Sequence, residues 1–286
     1  MHESNASRPS IVVGIDGSQA AIRAAEWAVD EALSREVPLR LIQVIPEHVE
    51  PAPFAAVGSV PMEREYAETA LRIASAEVEA AGKPVKVETA ILQGDIAETL
   101  VAESRDAVMV CVGSLGIGRF AKALLGSTAA ELAEAAHCPV AIIRTQQSHP
   151  KPDSALIVVA VEDTPGNDKV VEQAMKEAQL RNAPVLAIGA WRSDIAEMSH
   201  DELDRRTQVW ERRYPGVNVH SASTHTDVSD FLAAMDRRIQ LAVIGSSETD
   251  QLAHLIGPHK HPVLGHADCS VLIVPSELSS KTRTAK

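Results

Sequence analysis

With 286 residues and 45% apolar side chains, the chain is long enough for two domains of about 150 residues, each with its own core. A formal charge of −12 disfavours a nucleic-acid backbone or an anionic membrane as partner, and 3% aromatic residues provide no stacking platform for single-stranded nucleic acid. No apolar run approaches the roughly 18 residues that cross a bilayer, and Cys111, Cys138 and Cys269 are too scattered for a disulfide framework or metal clip and read as buried small hydrophobes.

The opening MHESNASRPS is polar, lacks the apolar stretch of a signal peptide and reads as a loose tail on a cytoplasmic protein. Residues 1–10 and 277–286 are expected to be disordered tails. Ile11–Ile15 then reads as a buried strand, and Ala21, Ala24, Ala25, Ala28 and Ala32 recur at helical spacing. A strand over Leu39–Ile45 is followed by residues 46–61, which hold four prolines and no periodicity and read as a long loop, either a lid or a disordered connection. A helix near Met62–Ala81 is stopped by Gly82 and Pro84, and Val85–Leu92 is the next strand. Asp95 is placed to cap a helix through Ser104. Val108–Val112 (strand), Ser127–Ala136 (helix) and Val140–Ile143 (strand) complete the first half.

The chain is written twice. The thirty residues from Val85 lie without a gap over those from Val217, pairing Val87 with Val219, Asp95 with Asp227, Leu100 with Leu232, Gly113 with Gly245 and Ser114 with Ser246. AHCPVAIIR then matches ADCSVLIVP, with Cys138 over Cys269 and one residue lost between. The first strand and its acidic exit, through Ser18, resemble Leu156–Thr164. The polar stretch Thr145–Ser154, with two prolines, is the seam, which divides the chain into a first domain over 11–146 and a second over 155–276. Strands alternating with helices imply right-handed crossovers and, in each half, a doubly wound open parallel sheet covered on both faces.

In such a sheet, ligands sit beyond the carboxyl ends of the strands, where strand order reverses. The first strand exits into Asp16, Gly17 and Ser18, and the fourth into Gly113, Ser114, Leu115 and Gly116. After nine intervening residues, Gly126, Ser127 and Thr128 open a helix. Glycines at 113 and 116 would let the backbone turn with positive φ and bring amides close to a phosphate. Gly126, Ser127 and Thr128 would add free amides and two hydroxyls at a helix N-terminus, where the dipole favours an anion. Asp16 could then accept from an adenine amino group or bind a ribose, and it competes with a role as N-cap of the first helix.

The pattern GxxG, nine residues, then GST, with Asp16 closing the first strand, resembles the universal stress protein family in both halves, about Ile11–Ile143 and Leu156–Val274. The resemblance implies an α/β, Rossmann-like fold of two tandem five-stranded sheets in the order 3-2-1-4-5. It also implies ATP as ligand, with or without Mg2+, and a nucleotide-dependent regulator of hypoxia, starvation or dormancy responses. The implied nucleotide-binding set is Ile15, Asp16, Val44, Val112, Gly113, Gly116, Gly126, Ser127 and Thr128, with Val44 against the base. The implied partners are a regulatory protein and either a homodimer or an intrachain pseudo-dimer through Val140–Ile143 and Val271–Val274.

The second half departs from the pattern. Glu162 stands where Asp16 stands, Glu248 replaces Gly116, and Gly257 with Pro258 takes the GST position. A carboxylate repels a triphosphate and proline lacks an amide donor, so this half is expected to bind ATP weakly or not at all. His254, His259, His261 and His266 lack HExxH or cysteine spacing and read as a solvated loop rather than a Zn2+ site. The chain carries no GxxxxGK[ST] and no GxGxxG after the first strand, which excludes a Walker NTPase and a standard dinucleotide fold. No nucleophile elbow is present. A nucleotide-free interaction scaffold and a slow ATPase or adenylate-transfer enzyme stay open as rival readings.

Overall fold

The computed structural model describes residues 9–47, 59–114, 126–144, 155–164, 166–189, 200–223, 238–246 and 269–275. The chain forms two compact units, Met1–Ser148 and His149–Lys286.

In chain order the first unit runs β1 (Ile11–Gly14), α1 (Gln19–Ser34), β2 (Leu39–Ile45), α2 (Ser59–Ala80), β3 (Val87–Gln93), α3 (Ile96–Glu103), β4 (Met109–Gly113), α4 (Ser127–Ala135) and β5 (Val140–Ile143). All neighbours are parallel, in the order β3-β2-β1-β4-β5. Each crossover is a helix, so α1 packs beside α2 and over β1, β4 and β5, while α3 packs beside α4.

Covering both faces explains why β1, β4 and β5 read as unbroken apolar runs rather than alternating ones. Ile11, Leu39, Leu41, Ile42, Met109 and Val110 are wholly buried, each large side chain contributing about 1.5–3 kcal/mol. The alanine stripe of α1 has the role its spacing suggests. Ala24, Ala25 and Ala28 are fully buried, and their small side chains let the helix axis lie close to the sheet.

Element boundaries depart from the sequence reading where backbone bonding decides. Helix α2 starts at Ser59 rather than Met62, inside the segment read as a loop. Pro61 is tolerated there because a first-turn amide has no intrahelical partner to lose. The rest of that segment, 48–58, lies outside the described residues. Strand β3 starts at Val87 rather than Val85, since the Val85 amide donates to the Lys83 carbonyl at 2.8 Å and closes a local turn first. Ser10, assigned to the tail from sequence, is buried and accepts from the Val108 amide at 2.9 Å. Asp95 caps α3 as its position suggests, Oδ1 accepting from the Ala97 and Glu98 amides at 2.9 and 3.0 Å.

The second unit runs β6 (Ala155–Val161), α5 (Asn167–Arg181), β7 (Val185–Gly189), α6 (His200–Arg213), β8 (Val219–Ser223), β9 (Arg238–Gly245) and β10 (Ser270–Val274). Its strands are again parallel, in the order β8-β7-β6-β9-β10. The register carries the repeat. Val110 sits opposite Val140 in the first unit, and the residues aligned with them, Ala242 and Val271, sit opposite each other in the second. No helix among the described residues is long and apolar enough to cross a membrane.

Candidate functional site

The β1–β4 ladder of the first unit runs from Ile11↔Met109 to Val13↔Cys111, and beyond it the two chains part at their carboxyl ends. Asp16 and Gly113 leave the sheet on either side of this parting. Ile15 stays tied to the sheet through its amide, which donates to the Ile42 carbonyl at 2.8 Å. Ile15, Val44 and Val112 are all buried, so each serves the core at the edge of the site.

The β1–α1 turn is built by local bonds. Asp16 Oδ1 accepts from the Ser18 amide at 2.9 Å, and Gly17 between them takes φ 83°. Ser18, not Asp16, is the N-cap of α1, its Oγ accepting from the Ala21 amide at 3.1 Å. A serine immediately before the helix is a preferred cap, so that signal was available in the sequence. Asp16 therefore braces the turn rather than capping the helix, Oδ1 being held by the Ser18 amide.

Gly113 is a glycine for a reason other than the positive φ expected of it, which it does not adopt. A Cβ there would stand 2.7 Å from the carbonyl carbon and Cβ of Ala20 and 2.9 Å from the Ala21 nitrogen. The first turn of α1 occupies that space.

The Ser114 amide donates to the Ile143 carbonyl at 2.8 Å, and the Ser114 carbonyl accepts from the Gly126 amide at 2.9 Å. These bonds seat the start of α4 at the end of β4. They also correct the expectation that the Gly126 amide is free, because it is spent within the fold. Residues 127 and 128 differ. Gly126 is the N-cap and has no side chain with which to bond, so α4 begins without a side-chain cap. Ser127 is exposed and Thr128 half-buried in its first turn. The structure thus gathers Asp16, Gly113, Gly126, Ser127 and Thr128 at one end of the sheet. Gly116 lies outside the described residues.

Sequence reasoning missed Tyr66. It lies 50 positions from Asp16, and its hydroxyl donates to the Asp16 carbonyl at 3.0 Å. The scarcity of aromatic residues was the only available signal.

In the second unit Glu162 is buried. Its Oε2 accepts from the Thr164 hydroxyl at 3.4 Å, and its buried Oε1 has no hydrogen-bond partner. Arg206 of α6 braces the turn, donating to the Glu162 carbonyl at 3.5 Å, to Asp163 at 2.7 Å and to Glu202 at 3.3 Å. Burial pulls the Arg206 guanidinium down, but the bonds to Asp163 and Glu202 outweigh it and hold the group above its ordinary value. Glu248, Gly257, Pro258 and the four histidines lie outside the described residues.

The model of the universal stress protein family matches residues 8–144 and again 156–275. Over 266 residues the chain is 52% identical to Universal stress protein Rv2624c of Mycobacterium tuberculosis (strain ATCC 25618 / H37Rv), covering 93% of this chain and 96% of that one. The crystal structure of a universal stress protein from Archaeoglobus fulgidus DSM 4304 has the same fold, with a TM-score of 0.69 at 17% identity over 93% of this chain and 96% of that one. A universal stress protein solved in complex with cAMP is 27% identical and covers 48% of this chain and 98% of that one, with a TM-score of 0.39.

Proposed function

The chain belongs to the universal stress protein family, and from that premise we propose that its first half holds ATP and that occupancy of this site sets the choice of a regulatory partner. The observation that carries the reading is the N-terminus of α4, which begins at Gly126 with no side-chain cap beside the parting of β1 and β4. The Ser127 and Thr128 amides point along the axis of a nine-residue helix, and their hydroxyls lie in its first turn. An anion placed there meets first-turn amides, which a helix cannot pair within itself, and the positive end of the helix dipole without needing a lysine. Asp16, at the far side of the same opening, is the acceptor for the base or ribose. The phosphates therefore belong on the α4 side and the nucleoside on the β1–β2 side, with Val44 at the end of β2.

Each charge-assisted bond from a donor to a phosphate contributes about 1.5–3 kcal/mol, which works against the freedom the nucleotide loses on binding. In the second half Glu162 is buried with one oxygen held by Thr164, and Glu248, which replaces Gly116, brings a carboxylate to the phosphate side. The stoichiometry expected is one ATP per chain.

Titration calorimetry of the full chain with ATP, together with nucleotide extraction from protein purified without added ligand, tests this reading. Binding near one per chain supports it, and no binding at millimolar ATP refutes it. A nucleotide-free scaffold is the second reading, favoured by Gly113 and Gly126 each having a role within the fold. Absence of ATP in both experiments would select it. The regulatory step is tested by comparing proteins captured from a lysate with and without saturating ATP, identical sets counting against it.

A further inference from the structure

Tyr66 is one of two tyrosines in the chain, and its placement follows from two independent features of the β1–α1 turn. The phenol donates to the Asp16 carbonyl at 3.0 Å. Gly17, at φ 83°, leaves room for it, since a Cβ at that position would lie 2.4 Å from the Tyr66 hydroxyl and 3.1 Å from the ring carbon that bears it. The turn and the ring are therefore fitted to each other.

The hydroxyl is engaged, yet the residue remains 47% exposed. A tyrosine kept only for packing would bury its ring. Helix α2 follows β2, so its N-terminal end stands at the carboxyl ends of the strands, the end that carries Asp16. One turn before Tyr66 on the same helix, Met62 is 70% exposed.

The second unit repeats the bracing bond with different chemistry. The carbonyl of Glu162, the residue that stands in place of Asp16, is reached from the helix after the second strand by Arg206. There the donor is a guanidinium committed to Asp163 and Glu202 as well. The aromatic donor occurs in the unit with the uncapped α4, and the acid-bound donor in the unit whose carboxylate is buried.

We propose that Tyr66 is a positioning and base-recognition residue of the first-half site. Its hydroxyl fixes the peptide that carries Asp16, and its exposed ring forms the wall on which a purine stacks. The inference rests on the nucleotide reading above and adds a surface on which a purine stacks more strongly than the smaller pyrimidine. Base–aromatic stacking is strong enough for its loss to cost on the order of tenfold in affinity.

Calorimetric titration of the full chain with ATP, CTP and inorganic tripolyphosphate tests it on the wild type, Tyr66→Phe and Tyr66→Ala. The expected result is an approximately tenfold loss of ATP affinity in Tyr66→Ala and a narrowed preference for ATP over CTP, with tripolyphosphate binding unchanged within about twofold. Tyr66→Phe keeps the ring and should keep most of the preference. A wild type that binds neither ATP nor tripolyphosphate overturns the site itself and this inference with it. A wild type that binds ATP, with Tyr66→Ala retaining the full ATP-over-CTP preference, overturns the role of Tyr66 alone, whether or not overall affinity falls. If Tyr66→Ala loses its far-ultraviolet circular dichroism, Tyr66→Leu takes its place and the same ratio decides.

Discussion

Replacing Gly113 by alanine separates a glycine that serves packing from one that serves a ligand. The added Cβ would sit 2.7 Å from two carbons of Ala20, where ordinary contact begins at 3.4 Å. Helix α1 must therefore retreat by on the order of 0.7 Å. Two of the three atoms met are backbone, so no side chain can swing aside to absorb the clash. The helix is held to the sheet by a row of fully buried alanines, Ala24, Ala25 and Ala28, and a gap of that size forfeits roughly a quarter to a half of each dispersion contact along the row. Overpacking of this kind costs about 1–3 kcal/mol, and the backbone clash places Gly113→Ala near 3. At about 2–4 °C per kcal/mol, the transition of the first unit should fall by about 6–12 °C. Differential scanning calorimetry of the full chain beside the wild type measures this. Gly126→Ala is the matched control. Its Cβ would meet nothing nearer than the Ser114 carbonyl oxygen at 3.6 Å, and its φ of −70° suits alanine. It should melt within about 1 kcal/mol of the wild type. A Gly113→Ala protein that melts within about 2 °C of the wild type but no longer binds ATP would refute the packing argument.

Ser127→Ala removes a hydroxyl from the first turn of α4 and should weaken ATP by about tenfold or more, equivalent to at least ~1.5 kcal/mol, without lowering the melting temperature; unchanged affinity in titration calorimetry would remove Ser127 from the site. Asp95→Ala strips the two-amide cap from α3 and should cost about 1 kcal/mol in a denaturant melt; an unchanged midpoint would refute the cap. Burial pushes the Cys138 thiol up from 9.0 to about 12, partly offset by its hydrogen bond with the Val110 backbone. Iodoacetamide at pH 8 should leave Cys138 unmodified in the native protein and label it in guanidinium, as peptide mass mapping would show. The linkage follows the same sign. The neutral thiol is favoured by the fold, so its contribution is complete below pH 9 and is lost as pH rises from about 9 towards 12. Native labelling at the unfolded rate would contradict this burial.

The duplication, the alternation of strand and helix, the alanine face of α1 and the Asp95 cap were all legible in the amino-acid sequence, because each is written in residues a few positions apart and repeats with the period of a helix or a copy. The order 3-2-1-4-5 came with the family resemblance rather than with any spacing, and the sheets of both units have it. Locality also sets the limit. Gly113 read as a loop glycine until α1 was seen to fill the space beside it, and Gly126 read as a free donor until its amide was seen on the Ser114 carbonyl. Asp16 and Ser18 were both acceptable caps by residue type, and only the path of the turn chose Ser18. Tyr66 meets Asp16 across 50 residues, through the packing of α2 beside α1. Periods and caps follow from bonds between near neighbours in the chain, whereas the clearance at a Cβ and the partner of an amide depend on elements brought together only when the sheet and its helices assemble.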